Sequence, residues 1–524
     1  MDSATEHATS CQRVNEMRIG VESPDALPFS AVEVTDVLDA ALADWHADPL
    51  STDESGTWVI TGHVDVQVGT AEYARRAHTL VQELLATGSV HRAEADLPVT
   101  AFVAPGVPIT TADVPPGSEE KRWARDAIRC DEAWVIEPGR GEGIRIGHPD
   151  TGYTLHPNLG RAALDLATDR DVIDDDDDAL DPLVDPAASP WPLPFPGHGT
   201  TTASVIAGRG SEEAGIVGVA PRARVVPLRA VESVVQLFDS DVARAVEHAR
   251  LTGCHLVSIS VGGKGFFGLR AAIQRAVDAG MIVMGAAGNN VRIVVAPASY
   301  PNCLAVAATG PDDQPWPESS RGRAVDVSAP GWGVYVAGYE WENGVPAAVV
   351  GQSSGTSYAV THLAGVAALW LAHHGPEELQ KRYGAGVQAA FLHLLGSGGS
   401  RVPEDWDAAR YGAGVVDAAA MLTAPLPAGD EFAASLAAPA ESPLARLSLL
   451  VNVDEAQLEH ALARRLVDSG EDLHEVVTRF EGELAFHLIE DPEFRACLLG
   501  PVPAESVPCG TRTACSPEFA TLFL

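Results

Sequence analysis

The chain has 524 residues, of which 46% are apolar, and its formal net charge at pH 7 is −37. This length allows a large buried core and more than one domain. The strong negative charge disfavours binding to nucleic-acid phosphates or to an anionic membrane surface. The first 50 residues contain no apolar segment of signal-peptide length, and no stretch approaches about 18 charge-free apolar residues. The sequence therefore predicts a cytoplasmic protein with neither nucleic-acid nor membrane partners.

The N-terminal part of the chain divides into two regions. Residues 1–55 are polar and irregular, which predicts a disordered N-terminus. Residues 56–117 contain an alternating stretch, "TWVITGHVDVQV", then a stretch of helical periodicity, "AEYARRAHTLVQELLATG", and then a second strand-like run, "VTAFVA". These patterns predict a small α+β unit with a connection to the next domain.

Residues 118–424 alternate between short apolar runs and helical stretches. The runs "IRIG", "RVVPLRA", "HLVSIS", "MIVMGAA" and "CLAVAAT" are typical of strands that are buried on both faces. Alternation of this kind predicts an α/β domain with a mostly parallel sheet and helices on both faces. Functional groups in such a domain lie at the carboxyl ends of the strands.

The C-terminal part shows a different pattern. Residues 425–443 are rich in Ala and Pro and predict a linker, and residues 444–498 have the periodicity of a small helical module. Residues 499–524 predict a loose tail. The helical module either binds a protein partner or caps the preceding domain, and the sequence does not choose between these.

Three polar residues stand where strands end or helices begin. Asp150 follows the strand-like "IRIGHPD", His198 opens "HGTTTASVIAG", and Ser357 opens an apolar helical run. A helix cap would by itself explain Ser357. A serine hydroxyl becomes a nucleophile only beside a base whose tautomer is fixed, and His and Asp supply those two groups. The order Asp, His, Ser along the chain is one of the known triad orders. Asn289 follows another buried strand, where its amide could stabilise an oxyanion.

The motifs in residues 120–422 resemble those of the subtilisin-like serine proteases, the subtilases of peptidase family S8. The segments "DTG", "HGT…AG", "SISVGG", "AAGN", "APASYPNCLAVAAT", "VDVSAPG" and "GTSYA…AG" occur in the order of that family. The resemblance implies a subtilisin-like fold for this domain.

The resemblance also implies roles for individual residues. Asp150 would orient His198, which would act as general base and then as general acid. Ser357 would be the nucleophile, and Asn289 would share the oxyanion hole with the main-chain N–H of Ser357. Ser260, Val261 and Gly262 would form the edge that pairs with an extended polypeptide substrate. The opposite wall of the S1 pocket would be formed by Ala286, Ala287 and Gly288.

Four positions depart from the usual family pattern. Thr201 and Thr361 replace a common His and a common Pro, and His148 and Pro149 precede Asp150 where aliphatic residues are usual. None of these changes removes a catalytic group. They do leave the substrate preference open.

Two further features have alternative interpretations. The acidic run from Asp169 to Asp185 could bind Ca²⁺, since that ion prefers clustered carboxylates, but it lacks the spacing of a calcium loop. It could equally be a solvated loop, or steer basic substrates. The unit at 56–117 resembles a subtilase propeptide in its position, and the alternative is a permanent subdomain.

These observations predict a serine endopeptidase that hydrolyses peptide bonds through a Ser-His-Asp triad and an acyl-enzyme intermediate, needs no cofactor or metal, and processes proteins inside the cell. The rival hypothesis is a catalytically silent subtilase fold that serves as a binding module for peptides or proteins.

Overall fold

The computed structural model describes residues 15–22, 32–51, 56–98, 114–187, 195–211, 215–232, 238–290, 293–429, 442–451, 453–466, 469–500 and 515–523. Within these residues the strands form a four-stranded sheet, a nine-stranded sheet and a two-stranded hairpin. Three parts of the molecule follow one another along the chain: an N-terminal unit, a central domain and a C-terminal helical module.

The N-terminal unit is an antiparallel sheet with two helices. Its strands pair in the order β2-β3-β1-β4, and helices α1 and α2 accompany them. The bounds are β1 Glu16–Glu22, α1 Val32–Ala41, β2 Ala43–Pro49, β3 Thr57–His63, α2 Ala71–Ala86 and β4 Arg92–Asp96. The strand expected in "VTAFVA" lies outside the described residues.

The prediction of a disordered segment at residues 1–55 is wrong for β1, α1 and β2. Strand β1 lies in the middle of the sheet, between β3 and β4, and its residues Met17, Ile19 and Val21 are buried. The segment "EMRIGVE" is short and surrounded by polar sequence, so its alternation is a weak local signal. Its stability comes from partners about 40 and 75 residues further along the chain, which local patterns cannot reveal.

The central domain is built on the nine-stranded sheet, in the order β14-β15-β11-β10-β9-β8-β5-β7-β6. All pairs are parallel except β14 with β15. The strand bounds are β5 Arg145–Asp150, β6 Arg170–Asp171, β7 Arg224–Arg229, β8 Leu256–Ile259, β9 Ile282–Ala286, β10 Leu304–Thr309, β11 Val327–Pro330, β14 Ser400–Arg401 and β15 Val415–Val416, and the separate hairpin is β12 Val334–Glu342 with β13 Val345–Ser353.

Helices cover both faces of this sheet. Their bounds are α3 Trp123–Ala127, α4 Cys130–Ile136, α5 His198–Ala207, α6 Asp239–Leu251, α7 Phe267–Asp278, α8 Thr356–His374, α9 Pro376–Tyr383, α10 Val387–Gly396, α11 Ala408–Tyr411 and α12 Ala418–Thr423. Neighbouring residues of one strand enter different cores: Leu256 packs in the cluster that includes α8, whereas Val257 packs with α6 and α7. The predicted α/β domain, with a mostly parallel sheet between two layers of helices, is confirmed.

The C-terminal module is a bundle of short helices around its own apolar core. The bounds are α13 Pro443–Leu450, α14 Glu455–Leu466, α15 Leu473–Arg479, α16 Glu481–Glu490, α17 Pro492–Leu499 and α18 Pro517–Phe523. Most of the expected linker, residues 430–441, lies outside the described residues.

Helix α18 corrects the prediction of a loose tail at 499–524. Phe519 and Phe523 are fully buried in the core of the module, so this end of the chain is anchored by aromatic burial. Two phenylalanines four residues apart occupy one face of a helix, but a seven-residue segment after a polar stretch is too short for its periodicity to be noticed. None of the helices in the described part of the chain is long and apolar enough to cross a lipid bilayer.

Candidate active site

The carboxyl ends of three adjacent strands bring the predicted site residues together. Strand β5 ends at Asp150, β8 ends just before Ser260, and β9 ends at Ala286. In the sheet, β7 lies on one side of β5 and β8 lies on the other. The strand order therefore reverses at β5. Clefts form at such switch points, because the loops leaving neighbouring strands go to opposite faces.

Asp150 and His198 form a buried hydrogen-bonded pair. The distance from His198 Nδ1 to Asp150 Oδ1 is 2.7 Å, and the same carboxylate oxygen accepts the main-chain N–H of Thr151 at 2.7 Å. Burial by itself would raise the pKa of Asp150, but the charge and hydrogen bond of His198 lower it below its ordinary value. An ionised Asp150 holds the Nδ1–H tautomer of His198 and leaves Nε2 as the basic nitrogen.

Ser357 lies in the first turn of helix α8, which packs against helix α5 of His198. The side chain is buried, and its hydroxyl donates to the main-chain oxygen of Ser260 at 2.8 Å. No hydrogen bond joins Ser357 to His198 among the described residues. Transfer of the hydroxyl proton to His198 therefore requires the hydroxyl of Ser357 to release the main-chain oxygen of Ser260.

Asn289 is fixed beside the start of helix α8 through its carbonyl oxygen. Oδ1 accepts both the main-chain N–H and the hydroxyl of Thr356, each at 2.9 Å. This orientation directs the other end of the amide, Nδ2, towards Gly355, where an added Cβ would be 3.6 Å away. Asn289 thus presents a donor next to the N-terminus of α8, where main-chain N–H groups are also free of helical partners.

The six predicted substrate-binding residues lie on two facing segments. The first segment, residues 260–262, follows β8 directly. The second begins at Ala286, the last residue of β9, and continues through Ala287 and Gly288. Ser260 also contacts the helix of Ser357, because its hydroxyl donates to the main-chain oxygen of Ser357 at 3.3 Å.

Among the four residues that depart from the family pattern, His148 is the one whose side chain lies close to the carboxylate of Asp150. His148 and Asp150 are two residues apart on β5, and His148 Nε2 lies 3.7 Å from Asp150 Oδ2 and 2.9 Å from Thr202 Oγ1. Burial lowers the pKa of His148, so the ring is neutral at neutral pH. Thr201 and Thr361 instead hydrogen-bond to main-chain oxygens of their own helices.

Asp181 is a structural residue of this site that the sequence interpretation did not single out. Its Oδ2 accepts the hydroxyl of Thr151 at 2.6 Å and the main-chain N–H of Gly197 at 2.8 Å. Thr151 also accepts the N–H of Gly199 at 3.0 Å. Asp181 therefore ties the residue after Asp150 to the residue before His198. The sequence hides this role, because Asp181 is one carboxylate in a run of many.

The other described carboxylates of the acidic run have protein partners. Asp171 and Asp174 pair with Arg229, and Asp175 and Asp177 pair with Arg170. Within the described residues, no group of three or more Asp, Glu, His and Cys side chains is placed to hold a metal ion. These described carboxylates therefore take part in ion pairs with arginines of the same domain.

The central domain of this chain is similar in sequence to known proteins. The model of the Subtilase family matches residues 141–393. Thermitase of Thermoactinomyces vulgaris is 32% identical over 257 residues, which cover 48% of this chain and 83% of thermitase. Subtilisin E of Bacillus subtilis strain 168 is 33% identical over 183 residues, or 34% of this chain and 46% of that protein.

A solved structure supports the same architecture over a longer part of the chain. Fervidolysin from Fervidobacterium pennivorans, described as a keratinolytic enzyme related to subtilisin, superimposes with a TM-score of 0.57. The match covers 79% of this chain and 62% of fervidolysin at 21% sequence identity, a likeness of fold.

Proposed function

Because this chain belongs to the subtilase family and is a serine protease, we propose that it is an endopeptidase that cleaves extended polypeptides through Ser357, His198 and Asp150. The observation that carries the proposal is the buried hydrogen bond of 2.7 Å between His198 and Asp150, at the carboxyl end of β5. This pair supplies the oriented base that a serine nucleophile needs.

The proposed reaction has two halves. In the first, Ser357 Oγ attacks the scissile carbonyl carbon while His198 Nε2 takes the hydroxyl proton, and Asp150 stabilises the imidazolium through Nδ1. Asn289 Nδ2 and the main-chain N–H of Ser357 stabilise the oxyanion. His198 then protonates the leaving amine, which leaves an acyl-enzyme. In the second half, water attacks the ester with His198 as base, and the acid product and free Ser357 are released.

Substrate binding in this proposal uses strand addition. An extended segment of polypeptide pairs with the main chain of residues 260–262, and its P1 side chain enters the gap between that edge and residues 286–288. No metal or organic cofactor takes part in any step. We further propose intracellular processing of particular proteins or peptides as the setting.

The rival hypothesis is a silent subtilase fold that binds polypeptides without cleaving them. The hydroxyl of Ser357 is engaged with Ser260 O, and such a module would keep it there. Peptide binding cannot distinguish the two hypotheses, since the strand-adding edge serves both.

Covalent labelling separates them. The intact mass of the full chain is measured before and after treatment with a fluorophosphonate, beside the Ser357→Ala variant. We expect one adduct on the wild type and none on the variant, whose peptide turnover falls by roughly 10⁵- to 10⁶-fold while peptide affinity changes little. A wild-type chain that binds peptides but takes up no probe would support the binding module instead.

The starting mass also tests the propeptide-like interpretation of the N-terminal unit. Labelled enzyme that lacks the residues before about 120 would support removal of a propeptide. Labelled enzyme with an intact N-terminus would show a permanent subdomain.

A further inference from the structure

The gap between the two segments of the proposed S1 pocket is occupied by a side chain of the protein itself. Gly262 belongs to one segment and Gly288 to the other, and Val295 lies between them. A Cβ built on Gly262 would overlap Val295 Cγ2, and a Cβ built on Gly288 would lie 2.8 Å from Val295 Cγ1. The room left by the two glycines is therefore filled by the isopropyl group of Val295.

Hydrogen bonds on both sides hold Val295 in this position. Its main-chain N–H donates to Ala287 O at 3.0 Å, on the segment of Gly288. The next residue, Ala296, exchanges two hydrogen bonds with Gly263, which follows Gly262, at 2.8 and 3.2 Å. These bonds fix the main chain around Val295, and the residue is buried, with 3% of its surface exposed.

A large P1 side chain would need the space that Val295 occupies. A leucine side chain or a phenylalanine ring that entered between Gly262 and Gly288 would contact the two methyl groups of Val295 before its own atoms were buried. Overpacking of this kind forces strained rotamers or main-chain shifts, whereas a methyl or hydroxymethyl group needs neither.

We propose that Val295 is the floor of the S1 pocket and restricts this protease to small P1 residues, namely Gly, Ala and Ser. The inference rests on the proposed function, because it assumes that substrate pairs with the edge at 260–262. It assigns a substrate class to the site and a specificity-determining role to a residue outside the catalytic set.

The test uses tetrapeptide p-nitroanilides that differ only in P1, which is Ala, Leu or Phe. With the wild-type full chain we expect kcat/KM for Ala to exceed that for Leu and Phe by about tenfold or more. Val295→Ala should raise kcat/KM for Leu and Phe by about tenfold relative to kcat/KM for Ala.

Val294→Ala is the matched control. Val294 is the neighbouring valine, is 1% exposed and packs in a separate apolar cluster with Ala298 and Ala305. The Val294→Ala substitution removes two methyl groups, as Val295→Ala does, but leaves the gap between Gly262 and Gly288 filled. The ratio of kcat/KM values for the Ala, Leu and Phe peptides should therefore stay at the wild-type value.

The possible outcomes separate this inference from the proposed function. Wild-type enzyme that cleaves the Phe peptide as fast as the Ala peptide, or a Val295→Ala variant with an unchanged ratio, overturns the role of Val295. If no peptide is cleaved and no fluorophosphonate adduct forms, the proposed function fails. In that case the role of Val295 is tested by calorimetry, which measures the affinity of the same peptides for the Ser357→Ala variant. Tighter binding of the peptide with Ala at P1 than of the peptides with Leu or Phe supports the inference, and equal affinities overturn it.

Discussion

At the residue scale, Asp181 shows how a carboxylate can serve a site without contacting substrate. It accepts three hydrogen bonds, from the hydroxyl of Thr151 and from the main-chain N–H groups of Leu183 and Gly197. It is buried, and burial raises its pKa. Because Thr151 and Gly197 are the chain neighbours of Asp150 and His198, Asp181 fixes the distance between the two.

We predict that Asp181→Ala lowers kcat by about 10- to 100-fold and changes KM much less, because a small misplacement of His198 weakens the transition state more than substrate binding. Asp181→Asn should lose less activity, since its amide oxygen can still accept the bonds from Thr151 and Gly197. Steady-state kinetics on a small peptide substrate measure both values.

Asp185→Ala is the control for Asp181. Asp185 lies in the same acidic loop and caps a turn by accepting the N–H of Ala187 at 2.9 Å. Its kcat should remain within about twofold of the wild type. An Asp181→Ala enzyme with full kcat, or with an effect on KM alone, would contradict the positioning role.

At the scale of elements, the N-terminus of α6 joins the N-terminal unit to the central domain. Asp96, at the end of β4, accepts the main-chain N–H groups of Asp239 and Ser240, both at 3.0 Å. Asp239 is itself buried beside Asp96, Glu94 and the ammonium of Lys264. Burial, followed by the negative charge of Asp96, raises the pKa of Asp239 to about 8.

This pKa predicts how stability changes with pH. The folded protein keeps the proton of Asp239 up to about pH 8, whereas the unfolded chain loses it near 3.8. Between those values the folded state binds more protons, so the free energy of unfolding should fall as pH rises. Asp239→Asn should flatten the dependence of Tm on pH in that window and raise Tm at its upper end.

Thermal unfolding of both proteins between about pH 5 and 9 tests this expectation. Asp65→Asn is the control: Asp65 makes a surface ion pair with Arg76 and is 82% exposed, so its profile should follow the wild type. Parallel Tm profiles for wild type and Asp239→Asn would show that Asp239 is ionised in the folded protein throughout this range.

At the scale of the whole molecule, one carboxylate connects all three parts. Glu481, in α16 of the C-terminal module, pairs with Arg92 of β4 at 3.0 Å and with Arg270 of α7 at 3.5 Å. It also binds Arg446 of α13 within the module at 2.6 Å. Burial alone would raise the pKa of Glu481, but these arginines lower it, so the carboxylate is ionised at neutral pH.

We predict that Glu481→Gln weakens the attachment of the module by roughly 1.5–3 kcal/mol, the usual contribution of hydrogen bonds to a charged group. Three guanidinium groups would then face each other with no carboxylate between them. Hydrogen–deuterium exchange should become faster in both α13 and β4, because Glu481 holds both.

Glu378→Gln provides the comparison for this variant. Glu378 pairs with Lys381 on the surface of α9, where the two side chains are 71% and 69% exposed, and exchange in α13 and β4 should not change. If exchange in Glu481→Gln rose in α13 alone, the contact with Arg92 would have no role in holding the N-terminal unit.

Local sequence was enough to predict the central domain. The runs "IRIG", "RVVPLRA", "HLVSIS", "MIVMGAA" and "CLAVAAT" coincide with β5, β7, β8, β9 and β10, because strands buried on both faces are apolar at most positions. It also predicted that Asp150 and His198 meet, since both stand at the carboxyl edge of the sheet. Strand β1 and helix α18 were missed, because each is short and owes its stability to distant partners.

The order of residues along the chain was enough to predict which chemical groups are present: a carboxylate, a base, a nucleophile and an amide donor at the ends of elements in a parallel α/β domain. The distances between these groups and the residues that surround them were known only from the folded structure. The hydrogen bond that Gly197 donates to Asp181 and the insertion of Val295 between Gly262 and Gly288 join residues from separate loops. Such contacts depend on how the sheet brings its loops together, and no periodicity along the chain records them.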